Sequence, residues 1–209
     1  MGINTDKVRS VILDIAAVME EQKQYLSDLD QAIGDGDHGF NMARGFGVVA
    51  QKLGSTPADD IGDVLKTVAM ALISNVGGAS GPLYGSLFLK ASAAAKGLRE
   101  VDLAGFIPPF RAGVLGVQAL GKAELGDKTM LDVLIPVLES LEKDNSEGLS
   151  CREAFANAEK VAAQCLEKTG ELIAKKGRAS YLGERSIGHI DPGGASSFLL
   201  ISTIGKALV

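Results

Sequence analysis

The densest chemistry in this chain is the stretch DLDQAIGDGDHGFN (28–41), where Asp30, Asp35 and Asp37 place three carboxylates within eight residues. Clustered anions repel, so a folded site that keeps them together needs a counter-charge. A hard divalent cation such as Mg²⁺ supplies it and completes its shell with waters and phosphates. Gly36, between Asp35 and Asp37, allows a sharp turn that aims both at one point. Without a metal the same stretch reads as a solvated acidic loop, and the residues alone leave both readings open. His38 stands beside the carboxylates, where it can touch a phosphate or orient an aspartate. His189 reads as a structural hydrogen-bonding residue in preference to a general acid–base.

Further pieces of a phosphate site lie in the glycine pattern. Glycine numbers 26 of 209 residues, and 16 of these fall in the windows 34–47, 77–85, 121–126 and 177–194. Helix starts with open backbone around them bind anions through free N–H groups. Gly77-Gly-Ala-Ser-Gly81 is such a start, and Arg178 and Arg185 supply guanidinium forks suited to a terminal phosphate. Tight helix turns and surface arginines are the plain alternatives. Three familiar motifs fail: Gly34, Gly36 and Gly39 spell GxGxxG, but a helical pattern precedes them where a strand is required. An EF-hand begun at Asp35 meets Phe40 and Phe46 at its sixth and twelfth positions. Gly116 to Lys122 nearly spells a P-loop, but Ala123 lacks the hydroxyl that would hold Mg²⁺.

These residues must be carried by helices. Val8, Val11, Ile12, Ile15, Val18 and Met19 recur at three- and four-residue spacings. A second helix is expected from Phe40 to about Lys52, and Thr56-Pro57 reads as the start of a third. Ser80 opens a fourth reaching Lys96. Asp102 caps a fifth that Pro108-Pro109 either kinks or delays. Thr129 to Lys143 forms a sixth, bent at Pro136. Ser150 and Glu153 fit a capping box for a seventh, and Asp191-Pro192 opens an eighth. No alternating strand pattern appears, so the expectation is an all-α single domain over 1–209 with about eight helices.

Composition narrows the function classes. The formal net charge of −5 argues against a nucleic-acid or acidic-membrane binder. No uninterrupted apolar run reaches the roughly 18 residues that span a bilayer, and Met1 to Ser10 lack a signal-like apolar block, which points to a cytoplasmic protein. Cys151 and Cys165 fall in one helical stretch, about 21 Å apart along its axis, and read as free thiols.

Four windows together resemble the L, or nucleotide-binding, subunit of bacterial dihydroxyacetone kinases: IGDGDHGFNMARGF (33–46), VGGASGPLYGSLF (76–88), GKAELGDKTMLDV (121–133) and KGRASYLGERSIGHIDPG (176–193). They occur in order across nearly the whole chain. The resemblance implies eight antiparallel helices in a barrel, with ADP or ATP bound at one end through two Mg²⁺ ions. It implies Asp30, Asp35 and Asp37 as metal ligands. Nucleotide contacts would fall on His38, Gly39, Phe40, Asn41, Ala79, Ser80, Gly121, Met130, Arg178, Asp191, Pro192 and Gly193. Met130 would meet the adenine, and Arg178 the phosphates during transfer.

In that family a separate K subunit holds dihydroxyacetone, and L delivers the γ-phosphoryl group to it. In the phosphoenolpyruvate-dependent systems the nucleotide stays bound as a coenzyme, and a phosphotransferase-type M subunit recharges ADP to ATP. The resemblance therefore implies K and M partners, no nucleic acid and no membrane. A homodimer and a transcriptional regulator as partner remain open. The chain's length favours a free-standing subunit over an ATP-dependent fused kinase. A kinase for another short sugar and a nucleotide-bound regulatory module are the alternatives.

Overall fold

A computed structural model describes residues 2–207. Among them are the helices α1 (Thr5–Glu21), α2 (Lys23–Ile33), α3 (His38–Ser55), α4 (Ile61–Asn75), α5 (Ser80–Ala94), α6 (Leu103–Gly121), α7 (Leu131–Ser146), α8 (Cys151–Thr169) and α9 (Pro192–Ala207), with a 3-10 segment over Arg178–Ser186. Among the described residues the fold is all-α apart from a two-residue antiparallel pair, β1 (Ile3–Asn4) with β2 (Glu100–Val101).

Each helix buries the stripe that its sequence period creates. In α1 this is Val11, Ile12, Ile15, Ala16 and Met19, and Asn4 caps the helix by accepting the Lys7 N–H at 2.9 Å. The buried faces meet in one continuous core in which Phe46 and Phe88 pack edge to face, 6.4 Å between centroids. Following the chain from α3, each helix packs on the next, α9 returns to α1, and α1 rests on α3, so eight helices close a ring. The remaining helix, α2, lies against α3 and α9. At the α2–α3 crossing a Cβ on Gly39 would run into the Lys23 carbonyl, so only glycine permits this approach.

Several boundaries differ from the sequence reading. The first apolar stripe ends at Gln22, and α2 follows as a separate helix whose only large buried apolar residues are Leu26 and Ile33. Too few apolar positions remain there to mark a period. The second expected helix begins at His38, before Phe40. Thr56-Pro57 does not start a helix: Thr56 closes α3, and the cap of α4 is Asp60, whose Oδ1 accepts the Asp63 N–H at 2.8 Å. Pro108 and Pro109 neither delay nor break α6, which runs continuously from its Asp102 cap. By length and composition α6 could cross a bilayer. Its apolar character is accounted for by Leu103, Ile107, Phe110, Val114 and Val117, all buried in the core. The capping box at Ser150 and Glu153 is present, and Cys151 and Cys165 are free thiols on α8.

The connections α3–α4 and α5–α6 are stapled together by Asp60. Its Oδ2 accepts the Gly97 N–H at 2.8 Å and lies 3.2 Å from Lys96 Nζ, while the Ile61 N–H reaches the Leu98 carbonyl. Burial alone would raise the Asp60 carboxyl, but the Gly97 and Asp63 amides and Lys96 outweigh it and hold the carboxyl below its ordinary value. A depressed carboxyl stabilises the fold above its unfolded pKa and loses that contribution as pH falls through the folded one. Asp60→Ala is expected to cost about 1–2 kcal/mol near neutral pH. Urea midpoints should show the gap between parent and variant narrowing below about pH 4.

Candidate functional site

Four helix N-termini open onto one cleft of about 450 Å³: α3 at His38, α5 at Ser80, α7 just after Met130, and α9 at Pro192. The ends of α2 and α6, at Ile33 and Gly121, and the backbone after α4, at Gly77 and Gly78, complete the rim. Each N-terminus carries about half a positive charge, so together the four favour an anion in the cleft.

The acidic cluster faces the same space. Oxygens of Asp30, Asp35 and Asp37 all lie within 4.8 Å of one another. Gly36, at φ +76°, makes the turn between the latter two. Asp30 reaches across from α2, and its Oδ2 accepts the N–H groups of Asp37 at 2.9 Å and His38 at 3.2 Å. That bond caps α3 and fixes one carboxylate of the three. Arg178 Nη2 stands 2.9 Å from Asp35 Oδ2, bringing a guanidinium over the cluster. One arginine against three carboxylates leaves negative charge in excess. An all-oxygen donor set of this kind fits a hard divalent cation such as Mg²⁺.

Behind the rim is a hydrogen-bonded relay of buried side chains. His38 Nδ1 pairs with Ser80 Oγ and His38 Nε2 with Ser196 Oγ, both at 2.9 Å. Ser196 Oγ meets the Tyr84 hydroxyl at 2.7 Å, and Tyr84 also meets Ser197 Oγ at 3.0 Å. Burial lowers the His38 pKa despite the opposing charges of Asp30 and Asp37. The imidazole is therefore neutral near neutral pH, donating at one nitrogen and accepting at the other. Burial likewise pushes the Tyr84 phenol up to about 12.

Asp191 caps α9, its Oδ2 accepting the Gly194 N–H at 2.6 Å, and its own N–H binds Thr169 Oγ1 at 3.0 Å. Burial, reinforced by Asp132 and Asp30, pushes its carboxyl up to about 7 against the pull of the Gly194 amide and Lys128. The other side of the cleft is apolar, with Pro82, Leu83, Val117, Leu120, Ala123 and Met130 along the lining. One cleft thus offers an apolar slot, helix N-termini and a carboxylate cluster in continuity.

Of the residues singled out from sequence, Asp30, Asp35, Asp37, His38, Ala79, Ser80, Gly121, Met130, Arg178, Asp191, Pro192 and Gly193 all line this cleft. Gly39, Phe40 and Asn41 do not. Gly39 packs on α2, the Phe40 N–H is taken by Ser27 Oγ, and Asn41 Oδ1 accepts from Arg44 Nη2 at 2.6 Å. Arg185 and His189 are exposed and stand outside the lining. Sequence reasoning missed Lys128 and Lys176 on the lining, and Tyr84 and Ser196 in the relay. Lys128 and Tyr84 sit inside the quoted windows, but nothing in their spacing marks them.

Fold and site together define an all-α protein whose ring of helices carries a cleft suited to an anion and a hard cation. A profile of the DAK2 domain matches residues 32–206. The chain is 42% identical over 207 residues to the "PEP-dependent dihydroxyacetone kinase, ADP-binding subunit DhaL" of Escherichia coli, covering 99% of each. It is 46% identical to the "PTS-dependent dihydroxyacetone kinase, ADP-binding subunit DhaL" of Lactococcus lactis, covering 89% of this chain and 88% of that one. The crystal structure of the dihydroxyacetone kinase from C. freundii in complex with AMP-PNP and Mg²⁺ shares the fold, with a TM-score of 0.75 at 22% identity over 99% of this chain and 34% of that one. The chain belongs to the DAK2-domain family of dihydroxyacetone kinase ADP-binding subunits.

The Asp191 carboxyl makes the cleft sensitive to pH. Because its folded value of about 7 exceeds its ordinary 3.8, folding favours the protonated form. That contribution is complete below about pH 4 and is lost as pH rises to about 7. Asp191→Asn keeps an oxygen for the cap and is expected to flatten this slope. Urea midpoints of metal-free protein at about pH 5 and about pH 8 check it, and an unchanged slope refutes it.

Proposed function

We propose that this chain is the nucleotide-binding, phosphoryl-transferring subunit of a phosphoenolpyruvate-dependent dihydroxyacetone kinase, acting on dihydroxyacetone held by a K subunit. The observation that carries the reading is the meeting of three carboxylates, four helix N-termini and Arg178 in one cleft. Only a ligand that is both anionic and metal-bearing satisfies all of them, and a nucleoside di- or triphosphate with Mg²⁺ is such a ligand. The similarity to ADP-binding subunits over nearly the full chain supports the same reading.

In this assignment Asp30, Asp35 and Asp37 would hold two Mg²⁺ ions, which would supply charge neutralisation to phosphoryl transfer. The starts of α3, α5 and α9, at His38, Ala79, Ser80 and Asp191 to Gly193, present backbone to the phosphates. Gly121 and Met130 border the apolar slot, where the adenine lies. Gly39, Phe40 and Asn41 act indirectly, by fixing α3 on α2. Arg178, paired with Asp35 here, would serve the transferred phosphoryl group. The cleft lining holds no neutral imidazole free to act as base, since both nitrogens of His38 are occupied.

The same reading makes residues 1–209 one L-type domain, acting in the cytoplasm with K and M partners. ADP is a retained coenzyme that the M subunit recharges. Purified without added nucleotide, denatured and chromatographed, the protein is expected to release about one ADP per chain. Nucleotide that washes out readily, with free ATP turned over beside a K subunit, would point to the ATP-dependent kinases instead. Asp35→Ala and Asp37→Ala are each expected to abolish Mg²⁺–ADP binding in calorimetry, and retention in both refutes the ligand assignment. Arg178→Ala is expected to lower transfer about 10³-fold or more while leaving bound ADP in place.

A further inference from the structure

Lys128 lines the cleft, yet its side chain is almost wholly buried at 2% exposure, and its backbone adopts the left-handed conformation at φ +60°. A lysine in that conformation stores strain, and a buried ammonium must be matched by acceptors. Lys128 Nζ donates to the Ser186 carbonyl at 2.7 Å and to the Leu172 carbonyl at 3.2 Å. These two carbonyls are the two ends of the loop whose middle carries Arg178. The loop is closed at the same level by the Ala174 N–H on Ser186 Oγ at 2.9 Å. The neighbouring Asp127 carbonyl takes the Lys175 N–H at 3.0 Å, and its carboxylate lies 3.4 Å from Lys175 Nζ.

We propose that Lys128 is a positioning residue for phosphoryl transfer, pinning both ends of the 172–186 loop and thereby setting the reach of Arg178 over the three-aspartate cluster. The inference rests on the function proposed above. Two of the ammonium's three N–H groups are already spent on the loop. The 3-10 segment spans only Arg178–Ser186, and within it Gly183 departs from helical geometry at φ 56°. The loop therefore has little internal regularity, and its shape is held at its base. The strained turn at Lys128 is the cost of bringing the ammonium under both carbonyls at once. Released from that base, the loop would carry Arg178 away from Asp35, with the carboxylates and helix N-termini left in place.

The test uses the full chain with a K-type partner and two variants that loosen the same closure from opposite sides, Lys128→Met and Ser186→Ala. Each is expected to lower kcat about tenfold or more with little change in nucleotide affinity, and to speed tryptic cleavage at Lys175, Lys176 and Arg178. In an Arg178→Ala background each is expected to lower kcat by less than about twofold, because the residue it positions is already gone. Equal losses in both backgrounds would overturn the proposal and make Lys128 a direct ligand contact. So would unchanged kcat and cleavage in a folded Lys128→Met. If Lys128→Met fails to fold, Lys128→Gln, whose shorter side chain cannot reach both carbonyls at once, carries the same comparison. If the unsubstituted protein transfers no phosphoryl group, the functional reading fails. The cleavage rates still decide the pinning, which equal rates in parent and variants would refute.

Discussion

The imidazole of His38 is the point on which the cleft depends. Its two nitrogens join Ser80 at the start of α5 to Ser196 in the first turns of α9, while its own residue is the first of α3. Three helix N-termini are thereby locked at fixed separations by one buried neutral ring, and Tyr84 extends the lock by binding both Ser196 and Ser197. Packing alone would tolerate small slides of these helices along their axes. A chain of short hydrogen bonds between buried groups does not, because each broken bond leaves an unsatisfied polar atom at a cost of about 1–3 kcal/mol. Asp30 adds the fourth constraint by capping α3 from α2, so a carboxylate that faces the cleft also sets the register of the helix beside it.

Charge then decides what the cleft accepts. Helix N-termini alone would take a bare phosphate, and the aspartates alone would take a bare cation. Side by side they oppose each other: a polyphosphate without metal is repelled by Asp30, Asp35 and Asp37, and a metal without phosphate leaves the N-termini unserved. The metal–nucleotide complex relieves both at once. Arg178, paired with Asp35, belongs to the same balance, since any cation added to the cluster competes with it for Asp35.

Much of this was legible in the sequence, for identifiable reasons. Asp30, Asp35 and Asp37 stand close along the chain, so their meeting needed only the turn that Gly36 provides. Asp102, Ser150 and Asp191 cap their helices through bonds to residues three positions on, and such local bonds leave local signatures. What escaped was non-local or conformational. The partners of His38 lie 42 and 158 residues away, and no spacing announces them. The role of Lys128 follows from a left-handed φ that its residue type disfavours. The helix α2 was invisible because its apolar face is thin. The false start at Thr56-Pro57 shows the limit of the local argument, since a proline that fits a first turn also fits a loop, and Asp60, four residues on, is the true cap.

The order of the connections explains why the functional residues fall in four separate windows. The links α2–α3, α4–α5, α6–α7 and α8–α9 all reach the cleft, and each quoted window covers one of them with the helix start that follows. The intervening links α3–α4 and α5–α6 meet instead through Asp60, Gly97 and the Ile61–Leu98 bond. Glycine serves different needs in the two groups. At Asp60 the left-handed Gly97, at φ +83°, offers its amide to a cap and tightens the fold. At the cleft, Gly36, also at positive φ, makes the turn between Asp35 and Asp37, and Gly78, likewise at positive φ, puts backbone on the lining. A ring of helices can leave one set of turns open for chemistry because another is tied shut. A substitution that loosens the tied turns should therefore lower stability before it alters the cleft, whereas one in the open turns should do the reverse.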